Sequence, residues 1–130
     1  MDANKYQVDA LRTELTPDFV RLGMGQEHDT MVARMLHAVL GIMDEAGEMA
    51  KILKKHLIYK TAIDEVNAFE ESGDSQWYHA LWLDAIKRGL GEAMERNLAK
   101  LAVRHGEKFS AEGAVNRDLA AERKALEGDQ

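Results

Sequence analysis

From about Asp29 to Lys55 the apolar residues Val32, Met35, Leu36, Val39, Leu40, Ile42, Met43, Met49, Ile52 and Leu53 recur at helical spacing. Such spacing gathers them along one side of an α-helix, so the segment is predicted as a single long helix. A connection is expected over 56–62. A second long helix is predicted from near Asp64 to about Lys87, carrying Val66, Phe69, Trp77, Tyr78, Leu81, Trp82, Ala85 and Ile86, with Gly89 and Gly91 marking its end. A third spans roughly Glu92 to His105 and stops at Gly106, an ordinary exit residue. Upstream, Thr16 as a cap and Pro17 in a first turn predict a short helix over Pro17 to Leu22, followed by a loop with Gly23 and Gly25. Downstream, the Ala-, Glu- and Arg-rich tail predicts another short helix over Arg117 to Leu126. No stretch competes as a strand, so the expected architecture is all-α, an antiparallel helical bundle.

With 130 residues the chain is expected to form one domain, 1–130, with its helical core at 29–106, an N-terminal arm at 1–28 and a C-terminal extension at 107–130. Apolar content of 45% and charged content of 31% are those of a globular protein, and a net charge of -6 argues against a general nucleic-acid binder. The absence of cysteine removes disulfides, thiolate zinc sites and a cysteine nucleophile together. The most apolar run, Met31 to Met43, is broken by Arg34 and His37 and is too short for a bilayer, so no membrane association is expected. Early acids and the lack of an apolar run at the N-terminus favour a cytoplasmic protein.

Six acids, Asp44, Glu45, Glu48, Glu70, Glu71 and Asp74, fall in two tight groups, and this clustering changes the picture. Glu45 and Glu48 are three apart, as are Glu71 and Asp74, which puts each pair on one helix face with Cβ atoms about 5 to 6 Å apart. A surface helix relieves such repulsion with a basic residue one turn away. Here only Glu48 has one, Lys51. Both groups also carry a helix-weakening glycine, in Glu45-Ala46-Gly47-Glu48 and Glu71-Ser72-Gly73-Asp74, each costing about 1 kcal/mol relative to alanine. Matching glycines suggest a shared need for close approach, by the paired helix or by a ligand. If the two helices run antiparallel side by side, four carboxylates surround one volume that only cations stabilise.

An all-oxygen donor set with no sulfur and no evident imidazole favours Mg2+, with Mn2+ as a substitute. A helical di-iron site uses Glu-x-x-His motifs, and no Glu in this chain has His three residues later.

The order E-x-x-E, a gap of about twenty residues, then E-x-x-D resembles the signature of the MazG-like, all-alpha nucleoside triphosphate pyrophosphohydrolases. The words GIMDEAGEMAK at 41–51, EESGDSQWYHALW at 70–82 and NLAKLAVRHGEKFS at 97–110 resemble the short, single-module members as well. The likeness covers roughly 29–110, and the first thirty residues have no counterpart in it. It implies Glu45, Glu48, Glu71 and Asp74 as metal ligands. It also implies cleavage between the α- and β-phosphates of a nucleoside triphosphate to the monophosphate and pyrophosphate, and a homodimer or homotetramer in which neighbouring subunits complete the core. Either Glu45 or Glu48 is then the candidate to accept a proton from the attacking water.

Further candidates surround this set. Asn97, Lys100 and Arg104 lie on one stripe of the third helix, suited to phosphate or ribose, with an ordinary solvated stripe as the alternative. Lys51 is a weaker candidate, since lysines near a helix C-terminus are favoured by the helix dipole in any case. His37, near the face of Gly41 and Glu45, is a candidate base contact, against a packed core histidine. Tyr78, one turn after Asp74, can reach a phosphate or a ligating carboxylate. Trp77 and Trp82 suit base stacking but fit the apolar side of their helix better and are assigned to the core. Two readings from other classes share these features: a non-catalytic helical interaction protein whose acids dock a basic partner, and a nucleotide-binding regulator with slow turnover. Within the enzyme class, a hydrolase of guanosine tetraphosphate-type alarmones fits the same metal site.

Overall fold

The computed structural model describes residues 1–15 and 27–128. The short helix expected over Pro17 to Leu22 and the loop after it lie outside the described residues. Six helices and no strand are present among those described: α1 (Ala3–Ala10), α2 (Glu27–Tyr59), α3 (Glu65–Ala85), α4 (Leu90–His105), α5 (Ala111–Val115) and α6 (Leu119–Glu127), with a 3-10 turn at Leu11–Thr13 after α1. The chain forms two compact units, Met1–Gly89 and Leu90–Gln130. None of the described helices is long and apolar enough to cross a membrane.

The first unit is built on α2 against α3. Arg34 meets Asp84, Gly41 faces Tyr78, and Glu45 approaches Glu71 and Asp74, so the residue numbers fall on one helix as they rise on the other: the pair is antiparallel. Ala38, Ala80 and Leu81 are fully enclosed, and Ala33, Ile52 and Ala85 nearly so. Gly41 sits where a Cβ would lie 2.1 Å from a ring carbon of Tyr78, so only glycine lets this ring pack flush on α2.

Both long helices end without glycine. α2 runs into the connection predicted at 56–62 and stops at Lys60, whose φ of 58° takes the chain into the left-handed region. The Lys60 N–H donates to the His56 carbonyl at 3.1 Å. α3 ends at Lys87, φ 57°, where the Lys87 N–H donates to Asp84 O and the Arg88 N–H to Leu83 O, both at 2.9 Å, the paired bonds of a Schellman close. Asp64 caps the start of α3, its side chain accepting from the Asn67 N–H.

The helix α1 is absent from the sequence reading. Asp2 caps it by accepting from the Lys5 N–H at 2.8 Å. It lies on α3 through polar contacts: the buried Gln7 amide donates to Ala80 O (3.2 Å) and Arg88 O (3.0 Å), and the Tyr6 hydroxyl to Gly73 O (3.4 Å). Val8 faces outward, 70% exposed, while Tyr6, Ala10 and Leu11 are half-buried against the rest of the unit.

In the second unit α4 packs on α5 and α6. It ends at Gly106, whose φ of 70° favours glycine, as the sequence predicts. Glu122 on α6 is buried and held by two arginines: Arg104 donates to it at 3.0 and 2.6 Å, and Arg117 at 3.1 and 2.7 Å. The two guanidinium groups hold its carboxyl far below the usual carboxylate range.

Candidate metal and nucleotide site

Glu45 projects from α2 toward Glu71 and Asp74 on α3, and one carboxylate oxygen from each lies within 4.8 Å of the others. Such a cluster can hold a metal ion. Glu71 is buried, Glu45 half-buried and Asp74 exposed, so the group lines a wall open on one side. The Asn67 side-chain amide donates to Glu71 Oε1 and fixes that carboxylate. Among the described residues no basic side chain pairs with any of the three acids.

Burial pushes the Glu45 carboxyl up to about 7, reinforced by its hydrogen bond with Glu71 and by the charges of Asp74, Glu71 and Asp44. The same field reaches the tyrosines. Tyr6 is raised by burial and by Asp74, and Tyr78 by burial and by Glu45, Asp44 and Asp74. A cation bound here would offset the mutual repulsion of these carboxylates.

Glu48 stands apart from this triad. Its carboxylate pairs with Lys51 at 2.5 Å one turn on, as the sequence spacing allows, with its side chain 40% exposed. Lys51 is therefore engaged by Glu48. Gly47 and Gly73 have no atom within 4 Å of where a Cβ would stand. The expected close approach of the paired helix does not occur at either, and the tight glycine contact falls at Gly41.

A cavity of about 360 Å³ opens beside the acids, lined by Glu45, Asp74, Thr13, Leu15, His37, Trp77 and Tyr78. Its rings are fixed against one another: Trp77 and Tyr78 edge-on at 5.1 Å, His37 and Tyr78 at 5.8 Å, and His37 and Trp77 tilted at 6.0 Å. His37 and Tyr78 thus line the acid-rich cavity, where the sequence placed them as candidates. Trp77 differs from expectation. Assigned to the core, it is only half-buried, lines the cavity and donates its indole N–H to Ala10 O (2.9 Å) and Thr13 Oγ1 (3.0 Å). Thr13 and Leu15, far away in sequence, were not legible as site residues, because only the docking of α1 brings them there.

Asn97, Lys100 and Arg104 belong to α4 in the second unit. Asn97 is exposed and Lys100 half-buried, while Arg104 is committed to Glu122 by two hydrogen bonds.

No family model, curated protein or solved structure matches the chain.

Proposed function

We propose that this protein is a magnesium-dependent nucleoside triphosphate pyrophosphohydrolase that cleaves between the α- and β-phosphates to release a nucleoside monophosphate and pyrophosphate. The observation that carries the reading is the juxtaposition of the Glu45, Glu71 and Asp74 oxygens with a cavity walled by His37, Trp77 and Tyr78. Hard anionic donors suit the phosphate-bound cation, and flat aromatic walls suit a base. Three of the four acids on which the family resemblance rests belong to this set.

Glu45, Glu71 and Asp74 are the ligands in this reading, with Glu48 joining them once it leaves Lys51. A divalent ion bound there supplies Lewis-acid stabilisation of phosphoryl charge and a lowered pKa for a bound water. Glu45 or Glu48 takes the proton of the attacking water. Asn67 holds Glu71 in its ligating direction. The ring cluster excludes water on the base side and orients the nucleoside.

Incubation of the protein with each ribo- and deoxyribonucleoside triphosphate and Mg2+, with separate assay of monophosphate and pyrophosphate, tests the reading. Monophosphate with pyrophosphate is expected; diphosphate with orthophosphate overturns the bond assignment. A second reading, a nucleotide binder with slow turnover, is favoured by the Glu48–Lys51 pair, which leaves three carboxylates where the resemblance implies four. Tight Mg2+-dependent nucleotide binding without pyrophosphate release distinguishes it.

The reading includes self-association. Val66 and Phe69 on α3 are 80% and 83% exposed, and Leu36, Leu40, Met43, Leu53 and Leu57 on α2 are also exposed, a surface suited to a second copy of the chain.

A further inference from the structure

We propose that the N-terminal segment 1–15 is a latched wall of the nucleobase pocket, and that Arg34 is the positioning residue that holds it shut. This deepens the nucleotide reading and rests on it. Thr13 and Leu15 line the same cavity as Glu45 and Asp74, and Glu14 lies between them in sequence. Arg34 of α2 grips Glu14 through a two-pronged contact, Nε to Oε1 and Nη2 to Oε2, each 2.7 Å. The same Nη2 reaches Asp84 Oδ2 on α3 at 2.7 Å. One guanidinium therefore ties the wall to both helices that carry the metal cluster. The pair is well sheltered, with Arg34 and Glu14 side chains 19% and 17% exposed, so screening by solvent is limited.

On the cavity side the wall is held by Trp77, whose indole N–H bonds Ala10 O and Thr13 Oγ1. Trp77 is itself a cavity residue, so a base packed against its ring touches the group that anchors the wall. The remaining attachments, Tyr6 to Gly73 O and Gln7 to Ala80 O and Arg88 O, are polar as well. No apolar side chain of the segment is fully buried, so it opens when its main latch is removed. The pocket then loses Thr13 and Leu15 while every carboxylate stays in place. The wall acts on the base and leaves the phosphates alone.

That asymmetry supplies the test. Arg34→Gln and, independently, Glu14→Gln are compared with wild type for KM toward the preferred nucleoside triphosphate and for competitive inhibition by inorganic tripolyphosphate, which has phosphates and no base. The expected result is a KM raised about tenfold by loss of the charged latch, an unchanged tripolyphosphate inhibition constant, and faster amide exchange over 3–13. Glu14→Gln leaves α2 and α3 untouched and decides the matter if Arg34→Gln folds poorly. An unchanged KM, or nucleotide and tripolyphosphate weakened equally, overturns the latch while leaving the pyrophosphohydrolase intact. A wild-type protein that neither binds nor cleaves any nucleoside triphosphate removes the functional reading first, and the latch with it.

Discussion

Glu45 holds a proton near neutrality because burial and three neighbouring carboxylates all disfavour its charge. Below its usual value of 4.5 the group is neutral in folded and unfolded chains alike, and it costs nothing. Between 4.5 and about 7 the unfolded chain gives up the proton while the folded chain keeps it, so stability falls with rising pH and the loss is complete above about 7. In the metal-free protein Glu45→Gln is expected to flatten this fall; melting temperatures of both proteins from pH 4 to 8 read it out, and parallel curves would show that Glu45 ionises freely. With excess Mg2+ the order reverses above neutrality, the wild type gaining more than the variant. At Gly41 an added methyl collides with the Tyr78 ring. Gly41→Ala is expected to lower stability by about 1–2 kcal/mol, overpacking outweighing the helix gain, whereas Gly47→Ala, facing open space, should raise it by roughly 1 kcal/mol. Urea denaturation of the two single variants checks the opposite signs. If Gly47 is kept for ligand approach, its stabilised alanine variant loses turnover.

At the scale of elements, periodicity predicts α2, α3 and α4, although α4 buries only Leu90 fully, and the two acidic pairs follow from their positions on α2 and α3. Helix ends were less legible. α2 continues to Tyr59 because its exit is a left-handed Lys60, and no composition signal marks a lysine in that role. α1 is not legible for a different reason: its apolar face is short, Ala3, Tyr6 and Ala10, and Gln7 is its one buried residue, so periodicity has little to show. Trp77, half-buried and not enclosed, departs from the core expectation for the same cause, since its hydrogen-bond partners are Ala10 and Thr13 of that segment. In the second unit, the two arginines on Glu122 make α6 dependent on one carboxylate. Its depressed pKa means that this stabilisation is present above the usual 4.5 and is lost as pH falls well below it. Glu122→Gln should accelerate amide exchange across 119–127 at neutral pH while leaving the Mg2+ response of the Glu45 cluster unchanged; protected α6 amides in the variant would show that the arginine clamp is dispensable.

At the largest scale, the contrast within the first unit is between an alanine-rich interior and exposed apolar side chains among the described residues. Ala38, Ala80 and Leu81 are enclosed, whereas Phe69, Val66 and Leu57 lie open. Light scattering at micromolar concentration is expected to give a mass of at least two chains, and Phe69→Glu to lower it; a monomeric wild type would leave those side chains without their proposed partner. One enclosed alanine has another consequence. Ala38 lies on the α2 face that carries Arg34, Gly41 and Glu45 to α3, and it is fully enclosed, so nothing larger than a methyl group spaces the two acid-bearing helices there. Ala38→Val, a change with no electrostatic content, should wedge the helices apart and weaken Mg2+ affinity as surely as the loss of a ligand.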